Sequence, residues 1–175
     1  MKTILLPFLI LVTTFSYAQQ SFDWEQISDY PYIAWGMASC NYDGTLYTFS
    51  NCGSSNNTLY KYTASADKWD TLAELTGTTF CNTAMAGVDG KIYLLGSTMM
   101  HAYDIANDVW SDLVALPPEL NKDGASMIVI GTDIYIAGGG TSTTANFFNF
   151  NTVSQTFTTL APMKTPRENA QVVMQ

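Results

Sequence analysis

One histidine, His101, is all that the 175 residues contain. Imidazole-rich metal centres draw two or three histidines into one site, so that class of centre is not expected. No second base stands near a serine or cysteine in the arrangement a nucleophilic triad needs, so no catalytic residue is assigned. Basic residues are also scarce. Seven Lys and Arg face fifteen Asp and Glu, a formal charge of −8. Nucleic acid and anionic membrane surfaces need a basic footprint, which disfavours both as partners. The acids are scattered, a pattern that favours solubility over a specific acidic tail. Beyond the N-terminus, no apolar run is long enough to span a bilayer.

Residues 1–18 read as a signal peptide. Lys2 supplies a positive start, Ile4 to Val12 an apolar core, and Ser16-Tyr17-Ala18 small residues at the cleavage positions. Cleavage after Ala18 leaves Gln19 first and sends the protein to the periplasm or the extracellular space. Three cysteines follow, an odd number for an exported chain.

Tyr, Phe, Trp, Thr, Val and Ile are plentiful, and Gly, Asn, Asp and Ser recur at short intervals. This is the usage of many short strands joined by tight turns. Three landmarks repeat in fixed order. The first is an aromatic three residues before an aliphatic: Trp24 and Ile27, Trp69 and Leu72, Trp110 and Leu113, Phe157 and Leu160. Its aromatics are 45, 41 and 47 residues apart. The second is a turn running into an aliphatic-Tyr pair: Asp43-Gly44 before Tyr47, Asp89-Gly90 before Tyr93, and Gly131 before Tyr135. Asp-Gly supplies the positive φ angles of a two-residue hairpin turn; the turn type at Gly131 stays open. The third is a short aromatic strand at Leu59–Tyr62, Ala102–Asp104 and Phe147–Phe150, each followed by a polar turn. The repeats predict four antiparallel strands per unit, in the second unit Thr83–Val88, Lys91–Gly96, Met99–Tyr103 and Val109–Leu113. That is one propeller blade, which buries its faces only against neighbouring blades.

The order of landmarks resembles the kelch repeat, and Met127 to Gly140 (MIVIGTDIYIAGGG) carries the likeness best. The fold class is therefore all-β, a partial kelch-type β-propeller. It has about three four-stranded blades plus the first strand of a fourth, at Ala170 to Gln175. Counted from aromatic to aromatic, the units are 24–68, 69–109, 110–156 and a partial 157–175. Closed propellers need about four to eight blades, so the expectation is an N-terminal fragment. Its closing partner is the set of missing C-terminal blades, and the strand around Trp24 would latch the ring.

Some kelch-like propellers are copper radical oxidases built on paired histidines beside a tyrosine. That pattern is absent, and His101 reads as a blade-packing residue. No cofactor and no metal are expected. Gly138-Gly139-Gly140 is not followed by a helix and reads as a sharp exit from a strand rather than a phosphate loop. The kelch pattern often places a cation before the inner strand. The corresponding positions here are Ala34, Phe80, Lys122 and Arg167, so Lys122 and Arg167 are the candidate ligand-binding pair for a carboxylate or acidic sugar. In a propeller, Cys52 after one strand and Cys81 before the next blade emerge on the same face. They are the expected disulfide, with Cys40 a buried thiol. Asn56 heads the one N-glycosylation sequon.

These features lead to an exported propeller that binds a protein or glycan. A carbohydrate-active enzyme similar to the sialic-acid epimerases of kelch-like propellers is the alternative. The small residues of the first strands, Ala38, Ser39, Thr83, Ala84, Ala125, Ser126 and Ala170, favour binding.

Overall fold

Asp43-Gly44 and Asp89-Gly90 each hold φ near +50° and +74°, the paired positive angles that turn a strand back on itself in two residues. Of the central pair at the third hairpin, Gly131 alone has positive φ, 66°, as in a type II′ turn. In the computed structural model, which describes residues 24–49, 52, 57–77, 81–140, 144–169 and 171–173, these hairpins start three sheets. The first sheet holds β1 Ala38–Tyr42, β2 Thr45–Phe49, β3 Thr58–Thr63 and β4 Lys68–Glu74. The second holds β5 Met85–Val88, β6 Lys91–Leu95, β7 Met99–Asp104 and β8 Val109–Ala115. The third holds β9 Ala125–Ile130, β10 Asp133–Gly138, β11 Phe147–Asn151 and β12 Thr156–Thr159. Each is an antiparallel meander in chain order.

The aromatic strand closes each sheet, as the four strands expected for the second unit have it: Trp69 lies in β4, the last strand of the first sheet, and Trp110 in β8. The units counted from aromatic to aromatic are thus out of phase with the sheets, whose cores run 38–74, 85–115 and 125–159. Among the described residues of the expected fourth strand, 171–173 carry no strand pairing, and Ala170 lies outside the description. The leader, Phe80 and Asn56 also lie outside the described residues.

The sheets pack face to face, with β1, β5 and β9 side by side. Strand alternation sends one set of side chains to each neighbour. Ile92, Leu94 and Tyr103 of the second sheet meet Tyr47, Phe49 and Leu59 of the first. Tyr93, Leu95 and Met100 point the other way, onto Ile134, Ile136 and Phe150 of the third. Ring pairs cross both interfaces, Phe49 with Trp110 and Tyr93 with Phe150, each at 5.9 Å.

A polar latch joins the first two blades. Asp108, in left-handed backbone at φ 52°, accepts the Tyr103 hydroxyl at 2.8 Å and the Ala73 N–H at 2.7 Å. Trp110 Nε1 donates to the Ala73 carbonyl. One repeat earlier the same set recurs: Asp67 accepts Tyr62 and the Ser28 N–H, and Trp69 Nε1 donates to the Ser28 carbonyl. Residues 24–30 form no strand in the described structure, yet Ser28 holds the place that Ala73 holds one blade on. The third blade has Phe150, Gln155 and Phe157 at these positions and packs through its rings, 4.8 Å apart.

Gln155 keeps the left-handed turn, φ 55°, and among the described residues its side chain makes none of the inter-blade hydrogen bonds that Asp108 makes. A left-handed conformation costs an ordinary side chain about 1 kcal/mol or more. Gln155→Gly is expected to stabilise the protein by about 0.5–1 kcal/mol in urea unfolding. A loss of stability would mean that Gln155 contributes a contact of its own.

Candidate functional site

The innermost strands are preceded by four residues in left-handed backbone, one per repeat: Gly36 (φ 62°), Asn82 (φ 49°), Gly124 (φ 67°) and Asn169 (φ 51°). Glycine and asparagine are the residues that tolerate this region best. Their backbones form a chain across the blades. Asn82 N–H donates to Gly36 O at 3.1 Å, Gly124 N–H to Asn82 O at 2.9 Å, and Asn169 N–H to Gly124 O at 2.8 Å. The alternation of glycine with asparagine has a steric reason. A Cβ on Gly36 would stand 2.8 Å from Asn82 Oδ1, and one on Gly124 would stand 2.8 Å from Asn169 Oδ1. Each carboxamide thus leans over the bare glycine of the preceding blade. The result is a collar at one end of the channel.

The collar separates two cavities. Asn82, Gly124 and Asn169 line both. The inner one, about 370 Å³, runs along the first strands. Its polar lining is Ser39, Asn82, Thr83, Ser126, Asn169 and Gln171; Met37, Met85, Met127 and alanines complete it. No ionisable side chain stands among its described lining residues. The outer one, about 260 Å³, carries the carboxylates of Asp123 and Glu168 beside Cys81 and Gly140.

The candidate cations do not meet in either cavity. Lys122 is largely buried, and its ammonium donates to the Cys81 carbonyl at 2.9 Å and to Asp123 Oδ1 at 2.7 Å. Its charge is matched by its own neighbour, and its bonds tie the second blade to the third. Arg167 is exposed. Its backbone bridges Thr144, and its carbonyl accepts the Gly139 N–H. The Gly138 and Gly140 amides likewise go to the Asn146 and Asp123 carbonyls. The glycine run therefore spends its N–H groups on the protein itself.

Cys52 and Cys81 are joined as a disulfide with Cα atoms 4.6 Å apart. It links the first blade to the second beside the collar: Cys52 Sγ lies 3.3 Å from the place of a Gly36 Cβ, and Cys81 precedes Asn82. His101 is buried, its Nδ1 2.7 Å from Asp112 Oδ1. It stands outside the cavities of the collar and packs within its own blade.

Cys40 is a free thiol, half-buried rather than fully buried as expected, and desolvation pushes its pKa up to about 12. An unfolded thiol ionises near 8.5. The folded state thus keeps its proton in the window between, and stability falls as pH rises through it. At pH 8, iodoacetamide is expected to label Cys40 quickly in urea and slowly in the native protein. Equal rates would contradict the burial.

The sequence reading did not single out the collar asparagines. The signal was present: Gly or Asn recurs two residues before each inner-strand Ala38, Ala84 and Ser126. Comparison with known proteins gives the same architecture. The family model described as Kelch motif matches residues 123–164, which span the third sheet. "Kelch-like protein terF" of Aspergillus terreus is 28% identical over 137 residues, 66% of this chain and 30% of that protein. A solved chain titled "Structure of YjhT" superposes with a TM-score of 0.67 at 17% identity, covering 79% of this chain and 54% of that one. At that identity the likeness concerns the fold. The chain spans less than a third of the curated relative and about half of the solved chain. Three four-stranded sheets with kelch landmarks in register give the chain the fold of a partial kelch-type β-propeller, and its third sheet matches the Kelch motif.

Proposed function

We propose that this chain is part of an exported propeller that works as a binding module, recognising a protein or glycan at the channel mouth. The observation that carries the reading is the collar. It is a hydrogen-bonded arc of backbone that presents two exposed carboxamides over a cavity whose described lining is uncharged. Recognition needs such a scaffold and no catalytic set. The epimerase alternative has less support, because Lys122 is committed to Asp123 and Cys81 and does not join Arg167 to hold an acidic sugar. Export is the reading of residues 1–18, and the Cys52–Cys81 disulfide fits an oxidising compartment.

Two measurements test this. N-terminal sequencing of the native protein should begin at Gln19; a start at Met1 argues against export. Ligand retained by the full-length protein from a glycan and peptide array should be recovered unchanged by mass spectrometry. Recovery of an epimerised or cleaved product would replace the binding module with an enzyme.

A further inference from the structure

Resting on that reading, we infer that the inner cavity accepts the end of an uncharged saccharide, with Asn82 and Asn169 as the residues that set this preference. Three observations point to this ligand class. The first is the chemistry of the lining. A carboxamide both donates and accepts hydrogen bonds, as a pair of sugar hydroxyls does. Asn82, Asn169 and Gln171 supply three such groups around one cavity, with Ser39 and Thr83 adding hydroxyls. Met37, Met85 and Met127 offer polarizable apolar surface for the C–H faces of a sugar ring.

The second is charge. An anionic sugar needs a cation to offset the loss of its hydration. The described lining supplies none, and the adjoining outer cavity carries the carboxylates of Asp123 and Glu168. Among the described residues, Lys122 pairs with Asp123 and no cation pairs with Glu168. The third is size and rigidity. About 370 Å³ falls within the about 300–1,000 Å³ of small-molecule sites. The collar amides are held across blades, so the backbones that carry the two carboxamides are placed before the ligand arrives. Each sits over a glycine whose missing side chain gives it room, which couples Gly36 to Asn82 and Gly124 to Asn169.

The test is calorimetric titration of the full-length protein with cellobiose, maltose, N,N′-diacetylchitobiose and N-acetylneuraminic acid. The variants are Asn82→Asp and Asn169→Asp, which keep the side-chain shape, tolerate the left-handed backbone and exchange an amide donor for a charge. The expected result is binding of a neutral saccharide, with N-acetylneuraminic acid at least tenfold weaker. Each variant should lower the neutral affinity about tenfold or more while retaining the wild-type melting temperature. Equal or tighter binding of N-acetylneuraminic acid overturns the inference, as does neutral binding indifferent to both variants. Binding confined to peptides overturns it while leaving the binding-module reading intact, whereas turnover of a saccharide removes that reading as well.

Discussion

Removing the Cys52–Cys81 disulfide is expected to cost about 3–4 kcal/mol of stability, the chain-entropy value for a loop of 29 residues. The closed loop contains β3 and β4, so in the oxidised unfolded chain that whole segment is already tethered to its neighbour. Cys52→Ala/Cys81→Ala should lower the urea midpoint by about 1–4 M, for a slope near 1–3 kcal/mol/M. The slope should rise as the denatured state expands. The damage should centre on the collar, because Cys81 adjoins Asn82 and Cys52 lies against Gly36. An unchanged midpoint would mean that the bond is not formed in the native protein.

Asp108→Ala carries the second large effect. The carboxylate accepts the hydroxyl of Tyr103, a side chain only 1% exposed, and the Ala73 amide of the preceding blade. Hydrogen bonds to a charged group contribute about 1.5–3 kcal/mol each, and alanine adds the cost of left-handed backbone. The expected loss is about 3–5 kcal/mol. Asp108→Asn keeps an acceptor oxygen and the backbone preference, so its loss should be about 1 kcal/mol. Burial, and then the bond to Asp108, hold the Tyr103 phenol well above its ordinary pKa. The folded state therefore keeps the phenol neutral where the unfolded chain would begin to ionise, and this contribution is lost as pH rises above about 10. Gln155→Ala, at the same place in the third blade, should change stability by less than about 0.5 kcal/mol. Equal effects at Asp108 and Gln155 would show that the latch does not discriminate the two interfaces.

The repeat was legible because each landmark answers a local demand. Asp-Gly is required by the hairpin angles, and a tryptophan or phenylalanine is large enough to reach the next blade. The disulfide pairing was legible once the fold was in hand, since Cys40 falls opposite Tyr47 in the hairpin and away from Cys52. The strand order within a blade was legible too: the second unit was expected to end on the strand from Val109, and β8 closes its sheet there. The aromatic-to-aromatic bounds differ from the sheets because a repeat has no intrinsic starting point in sequence. The sequence reading and the structure single out different residues around the channel. Lys122 and Arg167 were singled out for charge, yet the structure gives Lys122 to Asp123, the very next residue. The side chains that reach the cavity, Asn82 and Asn169, occur at positions chosen by backbone conformation. In sequence they read as ordinary loop residues.

Amide hydrogen exchange at Asn82, Gly124 and Asn169 tests the account most directly. All three lie outside strands, yet each N–H is bonded to the blade before it. The account predicts protection at all three comparable to that of the inner strands β5 and β9, with the Asn82 amide weakened when the disulfide is reduced. Exchange at the rate of open loops would mean that no collar joins the blades. The channel site built on it would then have no fixed frame.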